Sequence, residues 1–311
     1  MYIHLTSSGD LSVDRRYQFA CSLAGAGDPA AAAGLMAETL AAVPGWVAGW
    51  MALGDWAEAA GDTDQAMQAF ARAQALDPAD RLGAGLRLDL LRAVPMAETM
   101  PSAFVENLFD QYAPRFERSL VDQLGYCGPD LLAEALNGPL GRVLDLGCGT
   151  GLMGQAIAGR ATWLEGWDIS ARMLDRARGK GLYHQLQKRD LAQLEHGPEK
   201  WDTILAADVF IYLGALERIT AWIAHALAPG GRFAFTAEAG QGDSVTLLPS
   251  RRYAHGEDYI RGLMSDAGFG SVRIERAALR QDRGEPVEAF VVVCAGLNRA
   301  ADRTGEESEY A

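Results

Sequence analysis

The stretch Val143-Leu144-Asp145-Leu146-Gly147-Cys148-Gly149-Thr150-Gly151 decides the fold. Its apolar start reads as a buried strand, its glycines as a tight turn, and Leu152–Ala158 as the helix that follows. Working outward, the same alternation repeats. Trp163–Trp167 predicts a second strand, followed by a helix from Ala171 to Arg178. Tyr183–Lys188 and Trp201–Ala206 predict strands three and four. The apolar run Ala215–Leu227 predicts a helix that stops at Pro229-Gly230-Gly231, before a strand at Phe233–Thr236. A helix over Asp258–Ala267 and two strands, Val272–Leu279 and Val287–Cys294, complete the pattern. The last two strands are joined by the polar turn Arg280–Pro286, too short for a parallel crossover, so they form an antiparallel pair. The expected fold class is α/β: a seven-stranded, doubly wound Rossmann-like sheet, mostly parallel.

Glycines in such a turn reach conformations closed to other residues and let a ligand approach the main chain. A second carboxylate, Asp168, ends the next strand, 21 residues after Gly147, where it can accept both hydroxyls of a ribose. Gly149, Gly151 and Gly154 also spell GxGxxG, the dinucleotide pattern, which is weak alone. Asp145 argues against that reading. An acid just before the turn repels a pyrophosphate but pairs with the ammonium of S-adenosylmethionine. Ile169 and Met173, beside the ribose acid, offer apolar surfaces to an adenine.

Residues 142–296 resemble a class I S-adenosylmethionine-dependent methyltransferase. The motifs VLDLGCGTG, GWDISARML, Arg189-Asp190-Leu191 and LAPGGRF occur in that family's order. The resemblance implies S-adenosylmethionine as cofactor and S-adenosylhomocysteine as product. It implies that Gly147, Gly149 and Gly151 line the methionine part, with Asp145 near the ammonium. Asp168 would hold the ribose, with Ile169 and Met173 against the adenine. Asp190 would accept from the adenine amino group and Leu191 would donate its backbone amide. Asp208, after strand four, would border the transfer site.

Acceptor-side candidates fall in three places: Asp208 to Tyr212, Arg251 to His255, and Tyr112 to Phe116. His255 is the candidate general base, since an ordinary histidine titrates near neutrality. Tyr253 and Tyr112 are further catalytic candidates. Tyr212, Arg251 and Arg252 are substrate-binding candidates, the arginines being suited to an acidic group. The expected reaction is methyl transfer to an oxygen or nitrogen of a small molecule, one that can carry an acidic group. A protein methyltransferase and a non-catalytic adaptor that senses the cofactor are the competing readings.

The first hundred residues follow a different rule, a period of about 34 residues. Trp50, Leu53, Gly54, Ala66, Phe70, Ala73 and Pro78 fall where a tetratricopeptide repeat places its signature, with Ala57 in place of a tyrosine. Phe19, Ala32 and Pro44 echo it one period upstream, where Arg16 replaces the tryptophan. Small residues let paired helices approach, large apolar ones fill the space between them, and proline ends the second helix. A third unit shows only its first helix, from Arg81 to Val94. Two repeats bury little core, so the module is expected to lean on the next domain or on a second subunit, and a protein partner bound through the repeats is the functional alternative. With NLFDQYAPRFERSLVDQL after the repeats and SRRYAHGEDYI further on, nearly the whole chain resembles the bacterial methyltransferases that carry such repeats. The expected division is a repeat module over 1–97, a helical linker or lid over 98–140, the methyltransferase domain over 141–297 and a disordered acidic tail over 298–311.

Composition limits the alternatives. The 311 residues carry 28 basic and 41 acidic groups, a net charge of −13, which disfavours a nucleic-acid partner. No apolar run reaches the length of a membrane span. Met1–Asp10 lacks the basic start and apolar stretch of a signal peptide, so a cytoplasmic location is expected. Cys21, Cys127, Cys148 and Cys294 have no close spacing and the five histidines form no HExxH pattern, so no metal site is expected.

Overall fold

The computed structural model describes residues 7–92, 100–282 and 284–298. The chain divides into two compact units between Leu108 and Phe109, within the helix Ser102–Tyr112.

The first unit is helical. Its helices are Leu11–Gly25 (α1), Pro29–Ala42 (α2), Val47–Ala59 (α3), Thr63–Leu76 (α4) and Ala84–Arg92 (α5), each packed on the next. Asp10, Asp28 and Asp62 cap α1, α2 and α4, their carboxylates accepting from first-turn amides that have no partner inside the helix. Met36, Leu40, Leu53, Ala57, Phe70 and Ala73 fill the core. Gly54 is where two helices close: a Cβ there would lie 2.4 Å from a ring carbon of Phe70. In α1 the burial differs from the expected register. Phe19 is 61% exposed, whereas Val13 and Ala20 face inward. Val94, in the expected third unit, lies outside the described residues.

After the helix Ser102–Tyr112 (α6) and the helix Gly128–Ala135 (α7), the second unit builds its sheet. The strands are Gly141–Leu146 (β1), Ala161–Asp168 (β2), Gln185–Lys188 (β3), Trp201–Ala206 (β4), Leu227–Glu238 (β5), Phe269–Asp282 (β8) and Glu285–Leu297 (β9). Their order is β3-β2-β1-β4-β5-β9-β8, and β9 runs antiparallel to both neighbours. Between β5 and β8 lies a small hairpin that the sequence did not reveal, Val245–Leu247 (β6) with Tyr253–His255 (β7). The helices Leu152–Ala156 (α8), Ala171–Gly179 (α9), Glu217–Ala226 (α10) and Glu257–Asp266 (α11) join the strands.

The central strands are buried on both faces, which explains their near-continuous apolar sequence. Alternate residues point to opposite sides. Leu144, Leu146, Ile204, Ala206, Phe233 and Phe235 join one core, and Val143, Leu205 and Ala234 the other. The strand order reverses between β1 and β4, and in open sheets of this kind ligands bind at the carboxyl ends of the strands at such a switch point. Among the described residues, no helix is long and apolar enough to cross a membrane.

Candidate active site

The turn after β1 takes the strain expected of it: Gly147, Gly149 and Gly151 all have positive φ, at 63°, 52° and 88°. The amide of Gly149 donates to Asp168 Oδ2 at 2.9 Å, and that of Ser170 donates to Oδ1 at 2.8 Å. Asp168 thus stands at the end of β2, facing the glycine turn. Burial pushes its carboxyl up to about 6, against the pull of these two amides, while Asp110 adds to the rise. Asp110 comes from α6: its Oδ1 accepts from Ser170 Oγ at 2.6 Å. Ser170 Oγ in turn accepts from Met173 N, capping α9.

Asp145 is 1% exposed, and burial pushes its carboxyl up to about 7. Its Oδ2 accepts from the hydroxyl of Tyr183 at 2.6 Å, which opposes that rise. Tyr183 is one of the residues of this cluster that sequence reasoning did not single out. Its hydroxyl also accepts from the amide of Gly154 at 3.1 Å. Its ring fills the space left by three glycines: a Cβ on Gly151, Gly154 or Gly166 would lie 3.0, 2.8 or 2.8 Å from it. Gly151 and Gly154 therefore make room for an aromatic ring from before β3. A run of glycines on two adjacent elements was the available signal, but it does not say which side chain fills the gap.

The remaining cofactor candidates separate. Ile169 is half-buried beside Asp168. Met173 is fully buried, and its amide donates to Ser170 Oγ at 3.1 Å. Asp190 caps the short 3-10 turn Leu191–Gln193, accepting from Ala192 N at 2.9 Å and Gln193 Nε2 at 2.7 Å. Leu191 is the first residue of that turn and packs against the core.

On the acceptor side, Asp208 lies two residues after the end of β4 in a left-handed conformation, φ 57°, which is rare for a residue with a side chain. Its amide donates to Thr236 Oγ1 at 2.8 Å. Its Oδ2 accepts from Arg280 Nη1 at 3.0 Å, and the second arm of that guanidinium, Nη2, donates to Glu238 Oε2 at 3.0 Å. Arg280 is 2% exposed, although its place in a polar stretch reads as a surface turn; the strand β8 extends through it. Asp208 Oδ1 is buried without a hydrogen-bond partner among the described residues. Burial raises the carboxyl of Glu238, while Arg280 and Arg252 oppose the rise. Tyr212 stacks edge-on against Phe109, with ring centroids 5.2 Å apart. Burial raises its phenol, and Arg252 opposes that. Arg251 turns the β6–β7 hairpin with φ 58°.

Tyr253 and His255 lie between β5 and the next helix, as the sequence places them, and are fully buried in the short strand β7. His255 Nε2 lies 3.0 Å from Leu213 O and 3.1 Å from Gly214 O, so this nitrogen carries a hydrogen and donates it. Burial lowers the pKa of the imidazole. Its Nδ1 is buried without a hydrogen-bond partner among the described residues. Tyr112 is half-buried and packs edge-on against Phe116, with Arg115 over its ring at 5.5 Å.

Residues 143–231 match the family described as "Methyltransferase domain". The chain is 30% identical over 157 residues to the magnesium-protoporphyrin O-methyltransferase of Synechocystis sp., covering 44% of this chain and 66% of that one. It is 29% identical over 98 residues to a ubiquinone biosynthesis O-methyltransferase of Coxiella burnetii, covering 30% and 42%. The chain therefore spans less than two thirds of the length of these relatives. Among solved structures, the complex of DhpI with SAH superimposes with a TM-score of 0.49 at 20% identity, covering 62% of this chain and 95% of that one.

Proposed function

We propose that this chain, which carries a methyltransferase domain with S-adenosylmethionine as its cofactor, transfers a methyl group to an oxygen or nitrogen atom of a small molecule. One observation carries the reading: two buried carboxylates, Asp145 and Asp168, flank a turn of three left-handed glycines at the sheet's switch point. That donor set fits the cofactor. Asp168 offers acceptors for ribose hydroxyls, Asp145 a counter-charge for an ammonium, and Ile169 an apolar face for a ring. When bound, S-adenosylmethionine supplies both the methyl group and its leaving group. The protein's task is then alignment of the acceptor.

The acceptor side supports a hydrogen-bonding acceptor over an acidic one. Asp208 and Glu238 offset Arg280 and the nearby Arg252 one for one, leaving no surplus positive charge. Asp208 Oδ1 is placed to accept from an O–H or N–H group. A carboxylate acceptor would bring a third negative charge to the cluster. The family names of the relatives, both O-methyltransferases, agree with oxygen as the acceptor atom.

We read the five N-terminal helices as a tetratricopeptide-like module, on the repeat spacing and the close approach at Gly54. A second reading, methylation of a protein recruited through these helices, is favoured by Leu11 and Phe19, exposed apolar residues on α1. Incubating the full chain with methyl-labelled cofactor and either the small-molecule filtrate or the protein fraction of a cell extract decides between them. Label should enter the filtrate. Label confined to the protein fraction would replace the first reading with the second, and label in neither would leave a cofactor-sensing adaptor.

A further inference from the structure

We propose that Tyr183 is a positioning residue of the cofactor site, holding Asp145 for the cofactor's ammonium so that cofactor capture drives a proton off that carboxyl. The inference rests on the proposed cofactor site and goes beyond it, since it assigns a role to a residue outside the glycine turn and couples binding to pH.

The geometry is specific. The Tyr183 ring is wedged under Gly151, Gly154 and Gly166, so the phenol has little freedom to turn away. Its oxygen bridges two parts of the site, donating to Asp145 Oδ2 at 2.6 Å and accepting from the Gly154 amide at 3.1 Å. The donated hydrogen favours the ionised form of Asp145, which is the form that can pair with an ammonium. Against it stands burial. The titratable groups that face Asp145 are Tyr183, Asp168, Cys148 and Tyr126, and among these no cation offsets its charge. Asp168 raises the Asp145 carboxyl further. The balance leaves Asp145 at about 7, part protonated at neutral pH. An arriving ammonium supplies the missing counter-charge, and the carboxyl proton leaves to solvent. Affinity for a ligand that carries the ammonium should therefore rise with pH through neutrality.

Asp168, at about 6, also titrates in this range, and two ligands separate the acids. S-adenosylhomocysteine carries the ammonium. Methylthioadenosine keeps the ribose and adenine but lacks the amino acid. Their affinity ratio, measured by calorimetry on the full chain between pH 5.5 and 8.5, isolates Asp145. With the wild type, the ratio should rise about tenfold per pH unit below a midpoint near 7 and flatten above it. Tyr183→Phe keeps the wedged ring and removes only the hydroxyl. It should move the midpoint up by roughly one pH unit, the scale of one hydrogen bond to a charged group. Asp145→Asn should abolish the pH dependence of the ratio. A ratio independent of pH in the wild type, or an unmoved midpoint in Tyr183→Phe, would overturn the proposal while leaving the cofactor site standing. Failure of the wild type to bind S-adenosylhomocysteine at all would overturn both.

Discussion

The amide of Gly149 donates to Asp168 Oδ2 across 2.9 Å, which ties the glycine turn after β1 to the end of β2. The contact explains why both residues belong to one site. The turn presents one amide, and Ser170 a second, to a carboxylate that burial would otherwise push to a still higher pKa. Asp168→Ala removes the ribose acceptor and the partner of two amides together. It should weaken S-adenosylhomocysteine binding by about 1.5–3 kcal/mol, roughly ten- to a hundredfold. Isothermal titration measures this, with circular dichroism as the check on folding. Unchanged affinity would take Asp168 out of the site.

Arg280 holds Asp208 and Glu238 together from a position 2% exposed. Arg280→Met should leave two carboxylates facing one another with Arg252 alone to offset them, at a cost of about 3–5 kcal/mol near neutral pH. Their folded-state pKa values would then lie above the unfolded ones. Such groups contribute stability at low pH and lose it as pH rises through the folded pKa. The variant's deficit in urea melts should therefore be larger at pH 8 than at pH 5. Equal deficits at both would contradict the charge clamp.

His255 should act through the fold. His255→Gln should lower the melting temperature while S-adenosylhomocysteine affinity is retained. Burial depresses the pKa of this imidazole, so its contribution is full above the unfolded value and declines as pH falls below it. The stability gap between wild type and variant should narrow in acid. A hundredfold loss of turnover at unchanged melting temperature would restore the role of general base that its sequence position invites.

Asp145 and Asp168 place a pH signature on the protein without cofactor. Both carboxyls are raised, to about 7 and about 6, so their contribution to stability is full below the ordinary carboxylate value of 3.8 and is lost as pH rises from there through the raised values. Thermal melts from pH 5 to pH 8 should show a larger stabilisation by S-adenosylhomocysteine at the upper end. A shift that is constant across this range would mean that neither acid meets the ligand.

The parallel sheet was legible because buried strands announce themselves as apolar runs and the turn as glycines. Both signals are local. Asp145 and Asp168 were legible for the same reason, since each sits where a strand ends. The partners that tune them were not. Tyr183 reaches Asp145 from 38 positions away and Asp110 reaches Ser170 from 60. Arg280 looked like a turn residue because its neighbours are polar, yet β8 continues past it into the sheet. The three-residue strands β6 and β7 fell below the length at which alternation can be read, so the burial of His255 in a hairpin was not legible. Phe19 fitted a repeat by spacing, while the packing of α1 buries Ala20 beside it instead.

The central claim is that the crevice between Asp145 and Asp168 takes S-adenosylmethionine and its product. Titration of the full chain with S-adenosylhomocysteine, run beside a titration with a nicotinamide dinucleotide, tests it most directly. The account predicts saturable heat at a single site with the first and none with the second. Binding of the dinucleotide without binding of S-adenosylhomocysteine would contradict it and make Gly149, Gly151 and Gly154 a pyrophosphate turn.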